Sequence, residues 1–250
     1  RATPATQAPA KASPATSGAN AAKTPWPATL PEQVAAVARV LGSDSGALSL
    51  DAIAARYDLL RYSSGNMSWR FREDRAAVTA SSSWLGELTA EQVVICKLDD
   101  GTILNNKKPS IETKFHLGIL RHRPDANVVL HFQSPYATAV ACGNPADTNF
   151  DVIIEIPFYI GTPAWVDYHQ PGSAELAEAV IDSLRDHDLA LLRNHGMVTL
   201  GKDFPDTLQR AGFFELACQI LLTQPRLSPL PLDQADHLRA LAQQKKSSNI

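Results

Sequence analysis

The chain has 250 residues, 44% of them hydrophobic and 20% charged, with a formal net charge of −3. That is the composition of an ordinary globular protein with enough apolar material for a sizeable core. No long basic run is present, which argues against a nucleic-acid or anionic-membrane surface, and no apolar stretch is long enough to span a bilayer. Cys96, Cys142 and Cys218 are far apart, in apolar surroundings and without a C-x-x-C pair. They read as buried reduced thiols, in keeping with a reducing, cytoplasmic setting.

Residues 1–31 are rich in Ala, Pro, Thr and Ser, hold no acidic residue and show no periodicity, so they read as a disordered tail. Arg1 at the head of the chain leaves a processed or truncated start open, and with it an organellar or exported form. A single domain is expected over 32–241, with a frayed C-terminus over 242–250. The pattern predicts helices over 32–41 and 50–57, the second capped by Ser49. Strands are expected at 67–72, 76–80 and 92–98, the last turning back through Asp99-Asp100-Gly101. A helix follows Ser110, with Phe115, Leu117 and Leu120 on its apolar face, and then a strand over 128–132. Next come a small-residue helix from Ser134 to Cys142, a strand over 152–156 and a helix over 173–186. Strands over 189–193 and 197–200 flank Asn194-His195-Gly196, and a long helix runs from Asp203 to about Leu222, with Pro205 tolerated in its first turn. Strands and helices alternate too irregularly for simple βαβ repeats, so a mixed sheet with helices on both sides is expected.

Four clusters could carry chemistry. On the strand over 128–132, side chains two apart share a face, so His131 and Gln133 project together while Phe132 packs on the other side. His195 sits on a tight turn that presents its ring. Two histidines from separate strand ends with a nearby Glu are the raw material of a divalent-metal site, against the blander alternative of hydrogen-bonded core histidines. Ser110 is a good N-cap, which would place Glu112 in the first helical turn, where free amides favour its ionised form; beside a metal it would shuttle protons. Ser63-Ser-Gly-Asn-Met-Ser68 can bind an anion or polyol through hydroxyls, the Asn66 amide and backbone near Gly65, or simply close a hairpin.

In order along the chain, Ser64-Gly-Asn-Met-Ser68, Val78-Thr-Ala-Ser81, Lys108-Pro-Ser-Ile-Glu112, Arg123-Pro-Asp-Ala-Asn-Val128, Ser134-Pro-Tyr-Ala-Thr138, Pro171-Gly-Ser-Ala-Glu-Leu176 and Leu192-Arg-Asn-His-Gly-Met-Val198 resemble the class II aldolase/adducin family. The resemblance runs from about Ser63 to about Leu221. It implies an α/β fold, a three-layer α/β/α sandwich with a central mixed, mostly antiparallel sheet. It also implies a homotetramer with active sites between subunits. On the family pattern His131 and His195 match metal ligands, Gln133 stands where a second His is usual, and Glu112 matches the catalytic acid/base. Gly65, Asn66, Ser81 and Ser110 match the phosphate-binding positions, while Ser82 replaces a Gly and Ile111 a Ser. Tyr159 and Tyr168 lie in the stretch of the family's mobile Tyr, and spacing does not choose between them.

These matches imply a metal-dependent, aldolase-like lyase acting on a small hydroxy-carbonyl, sugar-derived substrate through an enediolate; epimerase, dehydratase and decarboxylase reactions share the same site. Zinc is the implied ion. The neutral oxygen of Gln133 is a poorer zinc ligand than imidazole, which admits Mn or Mg. The altered cradle also admits a non-phosphorylated substrate. The alternative is a non-enzymatic, adducin-like binding or assembly module.

Overall fold

A seven-stranded sheet organises the chain. Its strands are β1 (Asn66–Arg72), β2 (Arg75–Thr79), β3 (Val93–Lys97), β4 (Val128–Phe132), β5 (Ala164–Val166), β6 (Leu189–Leu192) and β7 (Gly196–Gly201). They lie in the order β3-β2-β1-β4-β7-β6-β5, and every pairing is antiparallel except β5 with β6. The computed structural model describes residues 59–60, 62–85 and 88–248, with positions 29, 32, 33 and 36 besides. The expected tail over 1–31, apart from position 29, and the helix over 50–57 lie outside the described residues, as does most of the helix expected over 32–41.

Side-chain alternation divides the core into two. Along β4, Val128, Leu130 and Phe132 join the cluster of Phe71, Ile156 and Phe214, whereas Val129 joins Phe115, Leu176 and Val198 on the opposite face. Helices α1 (Thr113–His122) and α3 (Ala174–Ser183) cover the second face and touch each other. The first face is covered by α2 (Pro135–Ala141) and α4 (Phe204–Thr223), with α5 (Leu232–Ser248) beyond. The result is a three-layer α/β/α arrangement around a mixed, mostly antiparallel sheet, as the sequence led us to expect.

Three expectations change. The strand expected over 152–156 is absent: turns lead into a π-helical turn, Ile156–Ile160, ended by Gly161 at φ +83°. Pro157 has no N–H for a ladder and sits instead at the start of this turn, where Ile156, Pro157 and Ile160 are buried. Residues 242–248, part of the terminus expected to fray over 242–250, continue α5. Cys142 is exposed at the end of α2, while Cys96 and Cys218 are buried.

A candidate metal centre at the end of the central strands

The central strands bring the motifs together at one end. Asn66 opens β1 opposite His131 near the end of β4, and His131 pairs on its other side with Val198 of β7. The turn preceding β7 carries His195. Below, the Ala80–Pro109 bridge and the hydrogen bonds Ser81 N–H to Lys108 O and Ser110 N–H to Thr79 O set Ser81 beside Ser110, two residues before Glu112. A cleft of about 240 Å³ results, lined by Gly65, Asn66, Ser81, Ser82, Ser110, Glu112, His131, Gln133 and His195, with Ser63, Ala80, Ile111 and Pro171. The metal, acid/base and anion-binding candidates of the sequence therefore line one cleft, whereas Tyr159 and Tyr168 do not.

Local backbone chemistry fixes these positions. Gly65 has φ +91°, and a Cβ there would lie 2.7 Å from the carbonyl oxygen of His131, so both conformation and proximity demand glycine. In the Asn194-His195-Gly196 turn the left-handed residue is Asn194 (φ +55°), not the glycine. Gly196 is required by packing instead: a Cβ would meet the Phe132 carbonyl oxygen at 2.7 Å and Gln133 Cγ at 2.8 Å. The stem of Gln133 thus passes directly over Gly196, half-buried on the cleft wall.

Ser110 does not cap α1 as expected. The N-cap is Glu112 itself, with φ −94° and ψ 5°, while Ser110 Oγ accepts the Glu112 N–H at 3.3 Å. The Glu112 carboxylate turns away from the free amides of its own helix and accepts from Asn66 Nδ2 at 2.7 Å. Its Oε2 lies 3.6 Å from His131 Nε2 and its Oε1 3.5 Å from His195 Nε2. The two imidazole rings stand 4.9 Å apart at 65°. Burial alone would raise the Glu112 carboxyl, but His131, the Asn66 hydrogen bond, His195 and His116 together outweigh it and hold the group below the usual glutamate range. Burial, reinforced by His131, lowers His195 to about 4. At neutral pH the centre is thus a carboxylate facing a neutral His195 imidazole.

This donor set fits a divalent cation. One ligand atom each from Glu112, His131 and His195 lie within 4.8 Å of one another. The separations of 3.5 and 3.6 Å are too long for hydrogen bonds. His131 Nδ1 is engaged with the Met197 carbonyl oxygen at 2.9 Å, which fixes the tautomer and leaves Nε2 as the free lone pair. Among the described residues Glu112 Oε1 and His195 Nδ1 find no hydrogen-bond partner though buried, as expected of a centre built to hold something more.

The structure adds a residue that the sequence did not suggest. His116, one turn after Glu112 on α1, is fully buried and contacts both Ser68 and Asn66. A lone His on an amphipathic helix reads as core, and only its i+4 spacing from Glu112 offered a signal. Of the two candidate tyrosines, Tyr159 packs between Phe158 and Phe213, whereas Tyr168 is 62% exposed.

The fold and the Glu-His-His cluster together define a class II aldolase architecture. The profile of the Class II Aldolase and Adducin N-terminal domain matches residues 48–222, and the chain belongs to that family. A 3-oxo-tetronate 4-phosphate decarboxylase of Haemophilus influenzae is 31% identical over 162 residues, covering 64% of this chain and 77% of the relative. An L-fuculose phosphate aldolase of Methanococcus maripaludis is 33% identical over 159 residues, covering 63% and 83%. Among solved structures, YgbL of Klebsiella pneumoniae, described as an aldolase/epimerase/decarboxylase, superposes with a TM-score of 0.71 at 25% identity, over 76% of this chain and 94% of that one. An L-fuculose 1-phosphate aldolase shares the fold, with a TM-score of 0.70 at 21% identity over 82% and 97%. Class II aldolases depend on divalent metals, and no described helix is long and apolar enough to cross a membrane.

Proposed function

We propose that this chain is a divalent-metal-dependent lyase that cleaves or enolises a small, sugar-derived hydroxy-carbonyl compound. The observation that carries this is the buried Glu112–His131–His195 cluster opening on a cleft of small-molecule size. His131 and His195 would hold the cation, with Gln133 as a weak or outer partner and Glu112 beside it. When bound, the cation polarises the substrate carbonyl and stabilises the negative charge of an enediolate. Glu112 supplies the proton transfer: it is ionised, buried and held by Asn66, so it can accept a proton from the carbon beside the carbonyl and return it on the other side of the reaction. Gly65, Asn66, Ser81, Ser82 and Ser110 offer backbone, amide and hydroxyl groups for the far end of the substrate, and Ile111 stands among them. No Lys or Arg lines the cleft among the described residues, so an anionic group there would meet neutral donors. The named relatives act on phosphorylated sugars, which supports a sugar-phosphate or closely related sugar acid as substrate. Zinc is the favoured ion, with Mn or Mg admitted by Gln133. A homotetramer with sites between subunits completes this reading.

The test is enolisation itself. In D₂O, the metal-loaded protein incubated with dihydroxyacetone or its phosphate should place deuterium on the carbon beside the carbonyl. Glu112→Gln should slow the exchange by about 10²–10⁴-fold with an unchanged circular dichroism spectrum. Equal exchange by wild type and variant would refute the assigned role of Glu112, and no exchange with any such compound would favour the non-enzymatic reading.

A further inference from the structure

Resting on the assignment of Glu112 to the metal centre, we propose that His116 is a positioning residue: through Asn66 it decides which oxygen of the Glu112 carboxylate is left free to react. The placement follows from two periodicities. Asn66 and Ser68 are two apart on β1 and share a face; Glu112 and His116 are four apart at the start of α1 and share another. Where the two faces meet, a buried chain forms. Ser68 Oγ lies 2.8 Å from His116 Nδ1, His116 Nε2 contacts Asn66 Oδ1, and Asn66 Nδ2 lies 2.7 Å from Glu112 Oε2.

Hydrogen-bond inventory gives the chain one direction. An ionised carboxylate only accepts, so Asn66 must turn its amide nitrogen to Glu112 and its oxygen to His116. That oxygen accepts, so His116 must carry its proton on Nε2. The neutral ring then presents a lone pair at Nδ1, and the Ser68 hydroxyl donates to it. Every donor points toward Glu112, and the far end of the chain is shut off from water: His116 is 0% and Ser68 1% exposed. The opposite orientation would set the Asn66 oxygen against the carboxylate oxygen at 2.7 Å, two acceptors face to face. His116 thereby adds a second hold on the amide: a flip would set the Asn66 nitrogen against the His116 Nε2–H as well as its oxygen against the carboxylate. The consequence lies at Glu112: Oε2 is tied, while Oε1, buried and without a hydrogen-bond partner among the described residues, is the oxygen left free to react.

Two measurements test this on the full-length protein. In the metal-free form, ¹⁵N-histidine NMR should show His116 as the neutral Nε2–H tautomer with a slowly exchanging proton, and Asn66→Ala should shift that resonance. Zinc binding by calorimetry should then weaken by about 10–100-fold in His116→Phe, which fills the space without a donor. His116→Gln, which can still donate toward Asn66, should restore most of the loss. In an Asn66→Ala background His116→Phe should cost nothing further, because the effect travels through that amide. If His116→Phe does not fold, Ser68→Ala replaces it in the same cycle. An Nδ1–H tautomer, or losses that simply multiply, would overturn the proposal. If the wild type binds no zinc, manganese or magnesium, the metal assignment fails. The tautomer, with the ¹³C carboxylate shift of Glu112 in wild type and His116→Phe, then decides the role of His116 alone.

Discussion

At the level of single residues, Gln133 stands where the family resemblance led us to expect a second histidine. An amide oxygen is a harder and weaker donor to zinc than an imidazole nitrogen. Gln133→His should therefore tighten zinc binding by about tenfold or more, measured by competition with a chromophoric chelator. No change would place the side chain outside the coordination sphere. His116 makes a second, independent signature. Burial lowers it to about 3, against about 6.5 for an unfolded histidine. A group with a lowered folded pKa stabilises the native state fully only above its unfolded value. Stability of the metal-free protein should thus decline as pH falls from about 6.5 toward 3, and the decline should be shallower in His116→Phe. His131, Gln133 and His195 were legible because each is a polar group that an apolar strand end or a tight turn does not need, while Ser81 and Ser82 were marked by the family resemblance alone. His116 was not, because a histidine inside an amphipathic helix is indistinguishable from core until its partners are known.

At the level of elements, two glycines shape the centre in different ways, and their variants should fail differently. Gly65→Ala combines a left-handed backbone with a contact to a carbonyl oxygen that cannot move cheaply. It should cost more than about 1 kcal/mol of global stability, seen as a lower urea midpoint. Gly196→Ala has no φ penalty but would push on the Phe132 carbonyl and Gln133, so it should disturb metal affinity together with stability. Most strands and helices were readable from periodicity and turn residues, since their apolar faces match what the two cores bury. The segment over 152–156 was misread because a β-branched apolar run fits a buried strand and a buried helical turn equally, and Pro157 decides the matter from outside the run. The end of α5 was misread because residues 241–248 carry little apolar periodicity, and that helix is anchored farther upstream by Arg239 on Asp151.

At the level of the whole molecule, the sheet order could not be read from the chain, since nothing local says that β4 inserts between β1 and β7. Yet that insertion is what makes Asn66, His131 and the His195 turn neighbours. A buried ion network helps hold these layers in place. Asp188 pairs with Arg123 at 2.6 Å and with Arg210 at 2.7 Å, joining the end of α1, the start of β6 and α4. Asp188→Ala would take one of two carboxylate partners from each of two largely buried guanidinium groups, leaving Arg123 with Asp125 and Arg210 with Asp206, and should cost more than about 1 kcal/mol in chemical denaturation. A loss below about 1 kcal/mol would show that solvent already screens the network.

The proposed function rests on a working divalent-metal centre despite Gln133. The most direct measurement is elemental mass spectrometry of the protein purified without chelators or added metal. Close to one divalent ion per chain is expected, lost when His131 and His195 are both replaced by Ala. A centre that is empty, and stays empty after soaking with zinc, manganese and magnesium, would contradict it and favour a binding or assembly role for this chain.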